Sequence, residues 1–207
     1  MAISRFKTSS VAQGLPKYQK FWDQTTDLGD YDWIASYTVP NTTTTSFSMS
    51  DIPSTYKHLQ LRGSVRVTRA GQFGGELYVG FNTDTTNTNY YNGEVSGYPP
   101  ADTTVSAYGG DDSGYPGMYA IRATGSAAQT GNYAPFVMDI SEYTNTNKKK
   151  TVRMLTGWDV NSTSNGYVAL YSGLWVGTAA INKLNFGLAY GDYIAQNSVF
   201  NLYGIKG

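Results

Sequence analysis

The chain has 207 residues, no cysteine and no net charge at pH 7, with 15 acidic and 15 basic residues. The length suits one large domain, the lack of cysteine excludes disulfides and thiolate metal sites, and the balanced charge argues against nucleic acid as a partner. No apolar run approaches the length of a transmembrane helix, so we expect no membrane partner.

Residues 1–28 differ from the rest of the chain. Their apolar residues follow no regular period, and Gly14-Leu15-Pro16 would interrupt a helix. The segment is basic up to Asp23 and rich in aromatic residues, which disordered tails normally lack. We predict an extended arm that docks on another subunit, the alternative being an unstructured terminus. The arm residues expected to bind protein are Arg5, Phe6, Lys7, Leu15, Lys17, Tyr18, Phe21 and Trp22.

Strand patterns begin at Tyr31 and cover residues 31–39, 45–49 and 57–67. The clearest is the alternation from His58 to Val67, because successive side chains on a strand point to opposite faces. The predicted buried row is Leu59, Leu61, Val65 and Val67, and the predicted wet row is Gln60, Arg62, Ser64 and Arg66. Arg62 and Arg66 are therefore candidate contact residues.

Further strands are predicted at 76–82, 117–124, 133–140, 150–160, 167–176, 181–188 and 198–205. The long polar connection from 83 to 117 has room for two short strands, near 90–95 and 104–108. About eight to ten strands without a normal helix predict an antiparallel β-sandwich or jelly roll over residues 29–207, preceded by the arm. Lys148-Lys149-Lys150 is expected to be a solvated hairpin end.

Candidate catalytic residues are few. His58 is the single histidine and is expected at the surface, and no Gly-x-Ser-x-Gly motif is present. The adjacent Asp111 and Asp112 lack the separation that glycosidases use and the spacing of an EF-hand, so a polar turn is expected there. We therefore predict a protein that is not an enzyme and has no cofactor or metal site.

Tyrosines crowd the connection between the early and late strands. Exposed tyrosine rings stack on sugars and anchor protein interfaces, and the hydroxyl supplies a hydrogen bond. The alternative is that the rings pin a long loop to the sandwich. The candidate interface or glycan contacts are Tyr90, Tyr91, Tyr98, Tyr108 and Tyr115.

Several segments share a resemblance to one group of proteins. They are Ile52–Arg62, Phe136–Lys148 with its continuation Lys150–Arg153, Ser172–Trp175 and Leu202–Gly207. These segments resemble parts of tailed-phage virion structural proteins, notably those of cyanophages, and residues 4–22 are similar to the N-termini of phage structural proteins. The resemblance implies a jelly-roll-like virion component without enzymatic activity, and it supplies no active-site residues.

Two roles follow from the resemblance. One is a capsid decoration or cement protein that binds the head shell through its arm. The other is a tail-fibre or other tail-appendage module that recognises a host surface glycan. The expected partners are the major capsid protein or tail components, together with further copies of the chain, a trimer being expected from the local threefold positions of a shell. The first ten residues lack the apolar stretch of a secretory signal, so we expect assembly in the host cytoplasm and a final location in the virion.

Overall fold

The structure is a computed structural model that describes residues 30–98, 105–111, 114–160 and 166–207. Within these ranges the chain forms fourteen strands, one 3-10 turn at Asn87–Asn89 and no α-helix. The strands are β1 Tyr31–Thr38, β2 Ser46–Met49, β3 His58–Val65, β4 Val67–Thr68, β5 Gly74–Phe81, β6 Tyr90–Gly97, β7 Val105–Asp111, β8 Met118–Thr124, β9 Ala134–Ser141, β10 Lys150–Asp159, β11 Gly166–Trp175, β12 Leu184–Tyr190, β13 Tyr193–Ile194 and β14 Val199–Ile205.

The strands form two main antiparallel sheets. The larger has the order β1-β14-β3-β9-β10-β11-β6-β7, the smaller has the order β2-β12-β5-β8, and β13 pairs with β4. One continuous cluster of buried apolar side chains, running from Val39 to Leu202, fills the space between the sheets. These features confirm the predicted antiparallel sandwich. The described residues include no helix long and apolar enough to cross a membrane.

The alternating segment forms β3, between β14 and β9 in the larger sheet. Leu59, Leu61 and Val65 are fully buried, which confirms the predicted buried row. The wet row is more varied than expected. Gln60 is only 8% exposed, and its amide donates to Asp139 Oδ1 on β9 at 2.6 Å.

The long connection between β5 and β8 contains the hairpin of β6 and β7. Both strands were predicted, and each is longer than expected. β6 pairs with β11, so the hairpin extends the larger sheet to its edge at β7. Alternation then sends Asn92 and Glu94 toward the smaller sheet and Tyr91 and Val95 outward.

The lysine run is only partly the solvated hairpin end that was predicted. Lys148 and Lys149 are exposed, but Lys150 is fully buried at the start of β10. Its ammonium donates to the carbonyls of Asn145, Lys148 and Thr178 at 2.5, 3.0 and 2.9 Å. Burial, assisted by the charge of Lys148, lowers the pKa of Lys150. Three converging carbonyls thus hold a lysine where a solvent-facing one was expected.

Candidate functional site

An exposed apolar stripe crosses the outer face of the larger sheet. Val137 on β9 pairs with Leu155 on β10, Leu155 pairs with Leu170 on β11, and Leu170 pairs with Val95 on β6. Directly paired residues in antiparallel strands point to the same side, so these four side chains form one row. Their exposed fractions are 38%, 62%, 46% and 48% in that order. We call this row the outer stripe.

The outer stripe extends about 14 Å across the strands, since it spans three inter-strand spacings. Val168 and Val105, 55% and 72% exposed, widen it on the side of the β10–β11 turn. A groove of about 950 Å³ opens there, lined in part by Val137, Leu155 and Val168. Apolar surface of this extent on a folded domain is typical of a contact site.

A row of bonded polar side chains borders the outer stripe. Arg153 Nη2 lies 2.8 Å from Asp139 Oδ2, and the same carboxylate accepts from Gln60. Gln60 in turn accepts from Arg62 Nε, and the Arg62 guanidinium lies over the rings of Tyr31 and Tyr203 at 5.0 and 5.3 Å. The charges beside the stripe are thus of both signs and are bonded to one another.

A second candidate site is a cavity of about 440 Å³ that draws side chains from both sheets. β7 is the edge strand of the larger sheet and β8 the edge strand of the smaller one, and both contribute to its wall. We call this cavity the tyrosine-lined cleft. It is lined by Glu76, Asn92, Glu94, Tyr108, Tyr119, Arg122 and Tyr190.

An ion pair lies at the centre of the tyrosine-lined cleft. Glu76 Oε1 and Arg122 Nε are 2.6 Å apart, and Arg122 Nε also donates to the Tyr171 hydroxyl at 3.0 Å. Burial raises the pKa of Glu76 although Arg122 opposes it. For Arg122, burial lowers the pKa, but Glu76, Tyr171 and Tyr167 together outweigh it, and the net shift is upward. Arg122 is therefore firmly a cation.

Glu94 and Asn92 supply acceptors from β6. The Tyr167 hydroxyl donates to Glu94 Oε1 and lies 2.8 Å from the Tyr171 hydroxyl. Burial is the main reason that the pKa of Tyr167 rises to about 12. Asn92 is 9% exposed, and its Oδ1 has no hydrogen-bond partner among the described residues. Such a buried acceptor costs about 1–3 kcal/mol while it stays unpaired.

Aromatic rings form the rest of the cleft wall. Tyr119 and Tyr190 stack with ring centroids 6.0 Å apart, and Tyr115 meets both edge-on at 5.4 and 6.3 Å. The Arg69 guanidinium lies 5.2 Å from the Tyr190 ring centre. Tyr108, on β7, is 66% exposed. The cleft thus combines an aromatic wall with charged and amide groups.

The five tyrosines predicted as contacts do not form one surface. Tyr90 is fully buried in the core, which corrects its assignment as an interface or glycan contact. Tyr91 is 42% exposed on the outer face, whereas Tyr98 is 42% exposed and packs edge-on against Tyr167. Tyr108 lines the cleft, and Tyr115 packs beside it with its hydroxyl donating to the carbonyl of Ala189 at 2.8 Å.

The two predicted contact arginines have different surroundings. Arg62 is exposed on the outer face, as expected for a contact residue. Arg66 is half-buried, and its guanidinium donates to four backbone carbonyls, which corrects its assignment to a contact face. Those carbonyls belong to Ser126, Ala128, Gln129 and Asn132. The predicted arm residues, Arg5 through Trp22, lie outside the described residues.

The structure gives the surroundings of His58 and the strand position of Asp111. His58 is half-buried, and its Nδ1 accepts the backbone N–H of Glu142 at 3.0 Å. Asp111 ends β7 opposite Tyr91, while Asp112 lies outside the described residues. Within the described ranges, no cluster of His, Cys, Asp and Glu could hold a metal ion.

Sequence reasoning missed the polar lining of the tyrosine-lined cleft. Glu76 and Arg122 each sit within an apolar strand, and a charged residue in such a strand is a signal that could have been followed. Their pairing across β5 and β8 could not be read from positions 46 residues apart, since register depends on the bulge between Leu77 and Tyr78. Asn92 and Glu94 lie in the polar connection from 83 to 117, where a polar side chain gives no local signal that it faces inward.

Comparison with known proteins identifies no family for this chain. No protein-family model matches the chain, and no curated protein matches it. Over 74% of its length, the chain is similar to 70% of the marine PL-14 alginate lyase from Aplysia kurodai, with 11% identity and a TM-score of 0.29. Over 75% of its length, it is similar to 98% of CG-16, a homodimeric agglutinin from chicken liver, with 12% identity and a TM-score of 0.21. Both TM-scores are low, so neither similarity indicates a function for this chain.

Proposed function

We propose that this chain is a non-enzymatic structural protein of a tailed-phage particle, namely a capsid decoration (cement) protein that binds the head shell through residues 1–28. The observation that carries the proposal is the outer stripe, an apolar row across four strands of a rigid sheet. Such a surface suits a subunit that is held in an assembly. The resemblance of Ile52–Arg62 and Phe136–Lys148 to tailed-phage virion proteins supports the phage particle as that assembly.

The occupant of the outer stripe is a second copy of this chain. The chain has no net charge, so two copies do not repel one another. The bordering row also carries both signs, with Asp139 beside Arg153, and a face of that kind can meet itself across a rotation axis. A surface that binds a strongly charged partner would instead carry charges of a single sign.

Introducing a carboxylate into the outer stripe tests the assembly role. In Leu155→Glu, the new charge would be buried against the partner copy, and we expect self-association to weaken at least about tenfold, or about 1.4 kcal/mol. Sedimentation equilibrium of the full chain measures the change. Ser46→Glu, which places the same charge on an exposed position of β2 in the other sheet, is the matched control and should associate like the original chain.

Two outcomes contradict this proposal. One is an original chain that stays monomeric at concentrations of about 100 μM, where a specific homo-oligomer should form. The other is a Leu155→Glu variant that associates as strongly as Ser46→Glu. Circular dichroism of both variants should show the spectrum of the original chain, which checks that the sandwich is intact.

The location in the particle has its own measurement. A shell decoration protein occupies repeated positions, so we expect hundreds of copies per virion and density on the head in a particle reconstruction. A few tens of copies or fewer would favour the alternative, a tail-appendage module that recognises a host surface glycan. The tyrosine-lined cleft is the feature that supports this second candidate.

A further inference from the structure

The tyrosine-lined cleft has the make-up of a small-molecule site and is separate from the outer stripe. Its volume of about 440 Å³ lies within the range typical of ligand pockets. The outer stripe lies on the solvent face of the larger sheet, whereas Asn92 and Glu94 point from the opposite face of β6. A ligand in the cleft would therefore leave the outer stripe uncovered.

The unpaired acceptor of Asn92 points to a ligand that donates hydrogen bonds. Asn92 is nine-tenths buried and its Oδ1 is unsatisfied among the described residues, although neighbouring polar groups of the cleft are paired. A bound hydroxyl would recover the free energy that this buried oxygen loses. Glu94 adds carboxylate acceptors, and Arg122 adds guanidinium donors, so the lining can both accept and donate.

The charges of the cleft are balanced and favour a neutral ligand. Two carboxylates, Glu76 and Glu94, are matched by two guanidiniums: Arg122, paired with Glu76 at 2.6 Å, and Arg69, which lies beside the Tyr190 ring and also acts on Glu76. An acidic ligand would meet both carboxylates and find Arg122 already paired, and a cation would meet both guanidiniums. A ligand without charge therefore fits best.

The aromatic wall selects a ligand with a flat apolar face. Tyr108 and Tyr190 are 66% and 43% exposed, and Tyr190 is stacked on Tyr119, which fixes its plane. Exposed tyrosine faces bind the C–H surfaces of a ligand. A ligand with many hydroxyls, no charge and an apolar ring face is a sugar.

We propose that the tyrosine-lined cleft binds a neutral saccharide, with a sugar ring against Tyr108 and Tyr190 and its hydroxyls bonded to Asn92, Glu94 and Arg122. This site is independent of the proposed assembly role, because it uses neither residues 1–28 nor the outer stripe. It also differs from the set of tyrosines predicted from the sequence, of which Tyr108 alone lines the cleft.

Titration of the full chain with simple sugars tests the site. The probes are the neutral hexoses glucose, galactose and mannose, with glucuronic acid as the acidic comparison, followed by saturation-transfer NMR. We expect at least one neutral hexose to bind with a Kd of about 10 mM or tighter and glucuronic acid to bind at least about fivefold more weakly.

Two variants place the bound sugar in the cleft. Tyr108→Ala, on an exposed edge position, should weaken binding about fivefold, and Asn92→Ala should weaken it at least as much by removing the buried acceptor. Tyr91→Ala is the matched control. Tyr91 is exposed like Tyr108, but it lies on the outward face of β6, so this variant should bind the sugar as the original chain does.

The proposal is overturned if no neutral hexose binds, if glucuronic acid binds best, or if Tyr108→Ala and Asn92→Ala bind as the original chain does. Weakening by Tyr91→Ala alone would move the site to the outer face and overturn it as well. The Leu155→Glu variant separates the two proposals, because it should lose self-association while keeping the hexose signal.

Discussion

Tyr90 is a core residue whose hydroxyl is fully used. The hydroxyl accepts the backbone N–H of Phe81 at 3.0 Å and donates to the carbonyl of Asp84 at 2.9 Å, so it ties β6 to the end of β5. Burial raises the pKa of Tyr90 from 10.0 to about 12, and the nearby Asp84 charge adds to the shift. Tyr90 was predicted to be a surface contact. It is instead the first residue of β6, and its side chain lies on the face of that strand that points into the sandwich.

This pKa shift makes stability depend on high pH. The folded chain holds the Tyr90 proton more tightly than the unfolded chain, so the associated stability is complete below pH 10 and is lost as the pH rises toward 12. We expect the original chain to lose about 2 kcal/mol more unfolding free energy than Tyr90→Phe over that interval. Urea unfolding at a series of pH values measures the difference.

Tyr91→Phe is the control for the titration. Its ring is exposed on the outer face of the same strand, so its loss of stability with pH should match that of the original chain. If Tyr90→Phe also follows the original chain between pH 10 and 12, the buried hydroxyl does not govern the alkaline transition.

At the scale of elements, Arg66 separates two strands and secures a connection. β3 ends at Val65 and β4 begins at Val67, so the alternation predicted as one strand is broken at Arg66. The guanidinium bonds the carbonyls of Ala128, Gln129 and Asn132 at 2.9, 2.8 and 3.0 Å. Arginine suits this role because its planar donors can serve several carbonyls at once.

Removing this guanidinium should loosen the connection between β8 and β9. We expect Arg66→Ala to lower the unfolding free energy by about 1–3 kcal/mol, since half-buried carbonyls lose their donors. Hydrogen exchange should become faster around residues 126–132, and urea unfolding gives the magnitude. Arg62→Ala removes an equal charge from the exposed row and should cost about 1 kcal/mol or less. Equal losses in the two variants would contradict this prediction, because the four carbonyl contacts would then contribute no more than the exposed contacts of Arg62.

The whole molecule combines a closed sandwich with a preceding segment of different composition. The core cluster runs from Val39 to Leu202 and joins both sheets, so the sandwich is built from residues that follow the predicted arm. The arm sequence, basic and aromatic, has the features of a segment that binds another protein. In this proposal, the sandwich provides the stability of the chain and residues 1–28 provide its attachment to the particle.

Deleting residues 1–28 tests whether this segment is needed for attachment but not for stability. We expect the shortened chain to unfold within about 3 °C of the full chain, because a chain of this size shifts by about 2–4 °C for each kcal/mol. Attachment to phage heads should be lost. Incorporation at the original level would show that residues 1–28 are not the anchor, and a fall in Tm of more than about 10 °C would show that they belong to the sandwich.

Much of the fold followed from local patterns. Local strand and turn patterns located every long strand of the two sheets, including the hairpin of β6 and β7, and alternation identified the buried row of β3. Strand parity is a property of consecutive residues, so it can be read without knowing the neighbours. The tyrosine-lined cleft was not predictable in this way, because Glu76, Asn92 and Arg122 come from three strands whose pairing and packing are long-range.

By itself, the sequence determined an antiparallel β-sandwich and the buried row of β3. The tertiary structure decided which polar side chains are covered. Gln60, Arg66 and Lys150 all have polar ends that a strand pattern assigns to solvent, yet each is bonded to at least one group from another strand or connection. It also decided that four apolar side chains meet in the outer stripe. Alternation fixes the side on which a residue lies, whereas burial depends on what the rest of the chain places over that side.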